Sequence, residues 1–426
     1  MKPTVLIATT CRWFPTARLA MALAKAGCRV EVVCPSRHPV GKTSAARRTH
    51  TYRAFAPLKS IADAIQSALP DLIIPGDDLA VRHLHDLYGR EREKRTSGEP
   101  ICALIERSLG PAEHFSLVYQ RSRFIEVAGE EGVRIPQTGV VSSAADLKKW
   151  ISAVGFPIVL KADGTSGGDG VRVVHTSEEA HRAFASLQAP PLFARAAKRA
   201  LFDRDSTLLW PSLSRRKAVV NAQAFIQGQE ATSTVACWKG RVLAALHFEV
   251  IKKTDPSGPA TVVCLIEHPE MIAAAAKIVR RLNLSGIHGM DFMLEAGTGN
   301  AYLIEINPRT TQVGHLTLGE DRDLPAAMHA VLTGQATQTA AKLTEKDTIA
   351  LFPREWARDS ASEFLQSAYH DVPWEEPRLV QACVQEARKA KGFNSKWVGR
   401  LAANRHAGQV ASAVKRRAVS LDCELE

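Results

Sequence analysis

Residues 289–307 read GMDFMLE, then AGTGN, then AYLIEIN. Two strand-like runs joined by a short glycine- and asparagine-rich segment predict an antiparallel hairpin. Pairing about Thr298 sets Glu295 opposite Ala301, Met293 opposite Leu303 and Asp291 opposite Glu305. Side chains alternate along a strand, so Asn307 shares the face of Glu305, while Phe292, Leu294, Tyr302, Ile304 and Ile306 form the core side. Carboxylates directly opposed, about 5 Å apart, repel, and burying them uncompensated is costly. A hard divalent cation removes the conflict. A small all-oxygen ligand set of Asp291, Glu305 and Asn307 suits Mg2+ shared with substrate phosphates. The plainer alternative is a basic neighbour, such as Arg309, neutralising one acid.

Upstream, FPIVLKADGTSGGDGVRVV at 156–174 places a glycine-crowded loop between two strand-like runs, with Lys161 at its root. Glycine lets backbone N–H groups approach a phosphate, and Lys161 adds a point charge. Alone, such a loop is usually a connecting turn. The cation-site candidate downstream gives it a purpose. The run GKTS at 41–44 is a decoy, because Ser36 stands where a phosphate-binding P-loop needs glycine.

The rest of the chain bounds the reading. Its 426 residues predict roughly two to four packed units, and 45% hydrophobic with 23% charged residues is ordinary for a globular protein. No apolar run reaches the roughly 18 residues needed to span a bilayer. The opening MKPTVLIATTCRWFP reads as a first strand rather than a signal segment, so a cytoplasmic location is expected. The 8 cysteines form no C-x-x-C pair and are expected as reduced thiols. The net charge of +11 is spread over short basic runs with no nucleic-acid motif, which reads as a solvated basic surface; an anionic substrate such as a nucleotide fits the same charge.

Along the chain, strand 4–10, helix 16–27 and strand 29–34 form β-α-β, which predicts a parallel sheet. Asp77 and Asp78 end a strand at 71–74 and are read as caps of the following helix. Residues 102–131 read as helical. A small α+β unit follows, with helices at 143–154 and 177–187 around the glycine loop. Residues 189–217 read as an insertion. A second set of strands begins at 221, a helix spans 269–282, and the tail from 336 turns basic and polar.

Together, FPIVLKADGTSGGDGV (156–171), GMDFML (289–294) and LIEINPR (303–309), in this order and separation, resemble the ATP-grasp superfamily. The likeness runs from about residue 121 to 321, behind a compatible α/β domain. It implies an α/β and α+β architecture in three parts. An N-terminal parallel-sheet domain spans 1–118. An ATP-grasp domain spans 119–335, with a glycine-loop lid at about 137–222 and a metal-binding part at about 223–335. A basic, mainly helical extension spans 336–426.

The resemblance also implies roles. Lys161 touches the α and β phosphates of ATP, and backbone N–H groups of Ser166, Gly167 and Gly168 cover the triphosphate. Asp291, Glu305 and Asn307 hold Mg2+, with Mn2+ as a substitute. Arg309 stabilises the transferred phosphoryl group or a substrate carboxylate. Phe225 and Ile226 meet adenine through their backbone, and Glu230 meets the ribose. The family's usual lysine before the lid is replaced here by Arg121 or Arg123, and its frequent acid by Ala224. The implied activity is a ligase joining a small-molecule carboxylate to an amine or thiol through an acyl phosphate. The alternatives are a carboxylase working through carboxyphosphate, and a non-catalytic nucleotide-binding module whose basic tail meets a polyanion.

Overall fold

The computed structural model describes residues 2–163, 170–189, 218–256, 258–338 and 341–390. Its first sheet contains β1 (Thr4–Ala8), β2 (Arg29–Cys34), β3 (Ala46–Thr51) and β4 (Leu72–Pro75), in the order β3-β2-β1-β4. All are parallel. The run TVLIA in β1 is buried throughout, as expected for a parallel strand covered on both faces. The helix Phe14–Lys25 carries proline in its first turn, where a missing N–H costs nothing. The helix Asp78–Glu93 is capped by Asp77, whose carboxylate accepts from the Ala80 N–H at 2.9 Å. Asp77 also takes the Thr10 backbone N–H and the hydroxyls of Thr9 and Thr10, so it pins the β1 loop to the end of β4. The helical pattern at 102–131 resolves into two helices, Glu99–Leu109 and Arg121–Glu130, separated by 3-10 turns after Pro111.

A second four-stranded sheet contains β5 (Thr138–Val141), β6 (Ile158–Ala162), β7 (Val171–Val174) and β8 (Val220–Ala224), ordered β5-β8-β6-β7. Helices Ala144–Val154 and Ser177–Gln188 start at capping residues Ser143 and Thr176. They bury Leu147, Phe184 and Leu187 against Ile158, Leu160 and Ala222. Alternation therefore turns Lys161, Asn221 and Gln223 to the opposite face, where they too are buried.

The central sheet comprises β9 (Gly228–Trp238), β10 (Arg241–Lys253), β11 (Ala260–Leu265), β12 (Gly286–Glu295), β13 (Ala301–Asn307), β14 (Thr348–Ala350) and β15 (Tyr369–His370). Its order is β13-β12-β9-β10-β11-β14-β15. On one face the helix Pro269–Arg281 packs Met271, Ala275 and Ile278 with Phe292, Leu303 and Ile306. On the other, Leu246 and Phe248 share a core with Val5 and Leu19 of the first domain and Leu379 near the C-terminal end.

The segment after 336 is thus less separate than its composition suggests. It adds helices Arg354–Arg358, Phe364–Ser367 and Pro377–Ala390, but also the last two strands of the central sheet, β14 beside β11 and β15 at the edge. The GKTS decoy serves this docking: Thr43 and Ser44 donate to the carboxylate of Glu376. Among the described residues, no helix is long and apolar enough to cross a membrane.

Candidate active site

Asp291 lies opposite Glu305 across β12 and β13. The rest of the expected register is corrected. Phe292 pairs with Leu303, Met293 with Tyr302 and Leu294 with Ala301, because the ladder slips beside Asp291. Ile304 is the extra residue of a β-bulge. The core face therefore holds Ala301 and Leu303 rather than Tyr302 and Ile304. Glu295 ends β12 opposite Gly228 of β9, and Thr298 in the turn donates to its carboxylate at 2.6 Å. Gly289, opposite Asn307, is needed for lack of a side chain: a Cβ there would stand 2.4 Å from the Thr311 methyl.

Asp291 accepts from Thr232 at 2.9 Å and from the Asn307 amide at 2.8 Å. Burial, then the facing Glu305 charge, pushes its carboxyl up to about 6, against the pull of those two donors and of Arg309. The donor set is two carboxylates and one amide, which fits a hard cation. Asn307 now turns its N–H toward Asp291 and its oxygen toward Arg309, so ligation through that oxygen requires the amide to rotate. Among the described residues there is no group of three or more His, Cys, Asp or Glu side chains able to hold a metal.

Basic groups converge on this pair from β6 and the helix Arg121–Glu130. Lys161, buried at the end of β6, is pulled down to about 8, first by burial and then by Arg121, against the attraction of Glu305 and Asp291. Arg121 contacts Glu305 at 3.3 Å and donates to the Ala162 carbonyl. Arg123 instead lies exposed and pairs with Glu126 on its own helix. Of the two candidate arginines, only Arg121 stands at the acids. Arg309 is not the partner of Glu305. It pairs with Asp78 at 2.9 Å, reaches Asn307 at 3.3 Å, and lies over the Trp13 ring at 5.7 Å.

Phe225 and Ile226 lie in the link between β8 and central strand β9. Glu230 is paired with Lys253 at 2.5 Å, a contact that any ribose would have to share. Ser166, Gly167 and Gly168 lie outside the described residues. Burial lowers His288 to about 4, and its ring bonds the Ser285 carbonyl, which is a structural arrangement.

Some groups near the site carry no local signal in the sequence. Thr232 reaches Asp291 only because β9 lies beside β12. Arg18 and His315 both bind Asp371, at 2.5 and 2.7 Å. Arg354 follows β14.

Residues 120–319 match the family model described as "Carbamoyl-phosphate synthase L chain, ATP binding domain". Over 322 residues the chain is 22% identical to the carbamoyl phosphate synthase large chain of Pseudomonas putida, covering 72% of this chain and 27% of that one. Over 187 residues it is 25% identical to acetyl-CoA carboxylase 2 of Arabidopsis thaliana, covering 42% of this chain and 7% of that one. The chain therefore spans about a quarter or less of the length of these curated relatives. Among solved structures, the biotin carboxylase domain of the Hydrogenobacter thermophilus 2-oxoglutarate carboxylase, in complex with MgADP, ADP and bicarbonate, has a TM-score of 0.55 at 17% identity. That match covers 80% of this chain and 72% of that one. The N5-carboxyaminoimidazole synthetase of Staphylococcus aureus, complexed with ADP, scores 0.53 at 15% identity and covers 80% of each chain.

Proposed function

From the premise that the chain belongs to the ATP-grasp superfamily by fold, we propose that it is an ATP- and Mg2+-dependent ligase. It phosphorylates a small carboxylate to an acyl phosphate and joins it to an amine, or less readily a thiol. The observation that carries this reading is the facing pair Asp291 and Glu305 with Lys161, Arg121 and Arg309 gathered around it.

Lys161 and Arg121 bind the phosphates, and the backbone N–H groups of Ser166, Gly167 and Gly168 are their further donors. Phe225 and Ile226 offer backbone groups to adenine, and Glu230 shares the ribose with Lys253. Asp291, Glu305 and the rotated Asn307 hold Mg2+, or Mn2+ in its place. Bound there, the ion neutralises charge on the transferred phosphoryl group. Arg309, already oriented by Asp78, adds charge stabilisation beside it. A carboxylate oxygen attacks the γ-phosphorus in line and ADP leaves. The amine then attacks the acyl carbon and expels phosphate. The protein supplies position, charge and exclusion of water rather than a covalent nucleophile.

The test is a screen of carboxylates and amines for ADP formation, with mass detection of the conjugate. Glu305→Gln and Lys161→Ala should each abolish substrate-dependent ADP release while keeping wild-type circular dichroism. Full activity in either folded variant removes the site assignment, and release of AMP removes the phosphoryl-transfer mechanism. The second reading is carboxylation through carboxyphosphate, favoured by the match to a carbamoyl-phosphate synthase model. Turnover that requires bicarbonate selects it.

A further inference from the structure

Between the first turn of the helix Phe14–Lys25, the loop after β13 and the segment after β14 lies a cavity of about 80 Å³. Its apolar wall includes Trp13, Phe14 and Phe352, the two phenylalanine rings meeting edge to face at 5.7 Å. Its polar lining includes Arg18, Gln312, Arg354 and Asp371. Arg309 connects it to the cation site, since its guanidinium covers the Trp13 ring and also contacts Asn307.

The charges in this cavity do not balance. Both oxygens of Asp371 are taken, one by Arg18 and one by His315. Burial and the Arg18 charge lower the proton affinity of His315, against the pull of Asp371. Arg309 has its own acid in Asp78. Arg354 makes no ion pair among the described residues, and its buried Nη1 has no hydrogen-bond partner. Burial and the Arg309 charge pull Arg354 down to about 10. Three further buried atoms of the lining are unmatched, Arg18 Nε, His315 Nδ1 and Gln312 Oε1. Gln312 uses its N–H on the Ala260 carbonyl at 3.1 Å, and its buried Oε1 accepts nothing. Arg354 as a whole is half-buried, and a cation drawn partly out of water without a counter-charge carries a cost that an anionic ligand removes. With no free carboxylate in the lining, an amine has nothing to pair with there.

Building on the ligase reading, we propose that this cavity is the subsite for the carboxylate substrate. The acid it takes is a small monocarboxylate with an apolar body and one O–H or N–H group. The carboxylate pairs with Arg354, the donor meets Gln312 Oε1, and the body lies against Trp13, Phe14 and Phe352. Arg354 and Gln312 are then specificity-determining residues.

The test is calorimetric titration of the full chain with two probe acids, 2-hydroxy-4-methylpentanoate and 3-phenyllactate, and with the neutral 1,2-diol matching each. At least one acid should bind the wild type ten-fold or more tightly than its diol. Arg354→Gln should weaken that acid at least ten-fold, leaving the diol and MgATP unchanged, and Arg354→Lys should recover part of the loss. Equal binding of acid and diol overturns the proposal, and so does an Arg354→Gln variant that binds the acid as the wild type does. Inorganic phosphate competing as strongly as the acid also overturns it, because the apolar wall would then contribute nothing. The ligase reading fails separately: a wild type that binds the acid through Arg354 but does not bind MgATP keeps the anion site and loses the ligase.

Discussion

Replacing Asp291 by asparagine should make the metal-free protein more stable and the enzyme inactive. The carboxyl rises from its ordinary 3.8 to about 6, with burial as the first cause and Glu305 as the second. At about 1.4 kcal/mol per pH unit, ionised Asp291 costs the metal-free fold up to about 3 kcal/mol at neutral pH. Partial exposure to the cleft and the lost charge on the Thr232 bond reduce the gain from Asp291→Asn to about 1–2 kcal/mol. The folded chain holds this proton more tightly than the unfolded chain. Metal-free stability therefore falls as pH rises from about 4 to about 6, and the full penalty persists above that. Thermal melts in chelator at pH 7.5 should show Asp291→Asn about 2–5 °C above the wild type. Added MgADP should raise the wild-type melting temperature and leave that of the variant in place. A variant that melts below the wild type in chelator, or gains as much from MgADP, refutes the argument that a cation relieves this pair.

Lys161, pulled down to about 8, loses its charge as pH rises through that value. MgATP affinity should fall up to about ten-fold per pH unit above it, and Lys161→Arg, which cannot deprotonate in this range, should flatten the profile in a fluorescent-nucleotide titration. Gly289→Ala drives a Cβ to 2.4 Å from the Thr311 methyl and 3.3 Å from the Asn307 Cβ. It should cost about 1–3 kcal/mol in urea unfolding and reduce ADP release more than MgATP binding. Asp371 is held down to about 2, by Arg18 first and His315 next, against its burial. The stability it contributes is present above about 4 and lost as pH falls through about 2. Asp371→Asn should cost about 2–4 kcal/mol and expose the segment after β14 to limited proteolysis at neutral pH.

The sequence made the chemistry of the hairpin legible because alternation and one charge conflict suffice to set Asp291 against Glu305. It did not show the slip at Ile304, since a bulge preserves the apolar composition while changing which residues face the core. Period-two alternation likewise turned Lys161 to the cleft. Arg309 follows Asn307 by two residues, yet its partner is Asp78, 231 residues away at the start of the helix after β4. No local pattern couples residues that far apart. The same holds for Arg18 and Asp371, which meet across 353 residues of chain. The short strands β14 and β15 were hidden in a segment whose polar composition reads as helix or coil, and sheet pairing rather than propensity places them.

That late pairing has a consequence for how the molecule is made. A chain synthesised from its N-terminus exposes β11 long before residues 348–350 exist to cover its edge. Arg18 is likewise among the first residues translated, and its acid among the last of the described ones. Until then Val262 and Val263 border an open strand edge, the kind of surface that invites pairing with another chain. Ending the chain at residue 335 would make that transient state permanent. Coexpressing residues 336–426 as a separate piece is then a direct assay of whether the last strands act as a clasp on an otherwise assembled sheet.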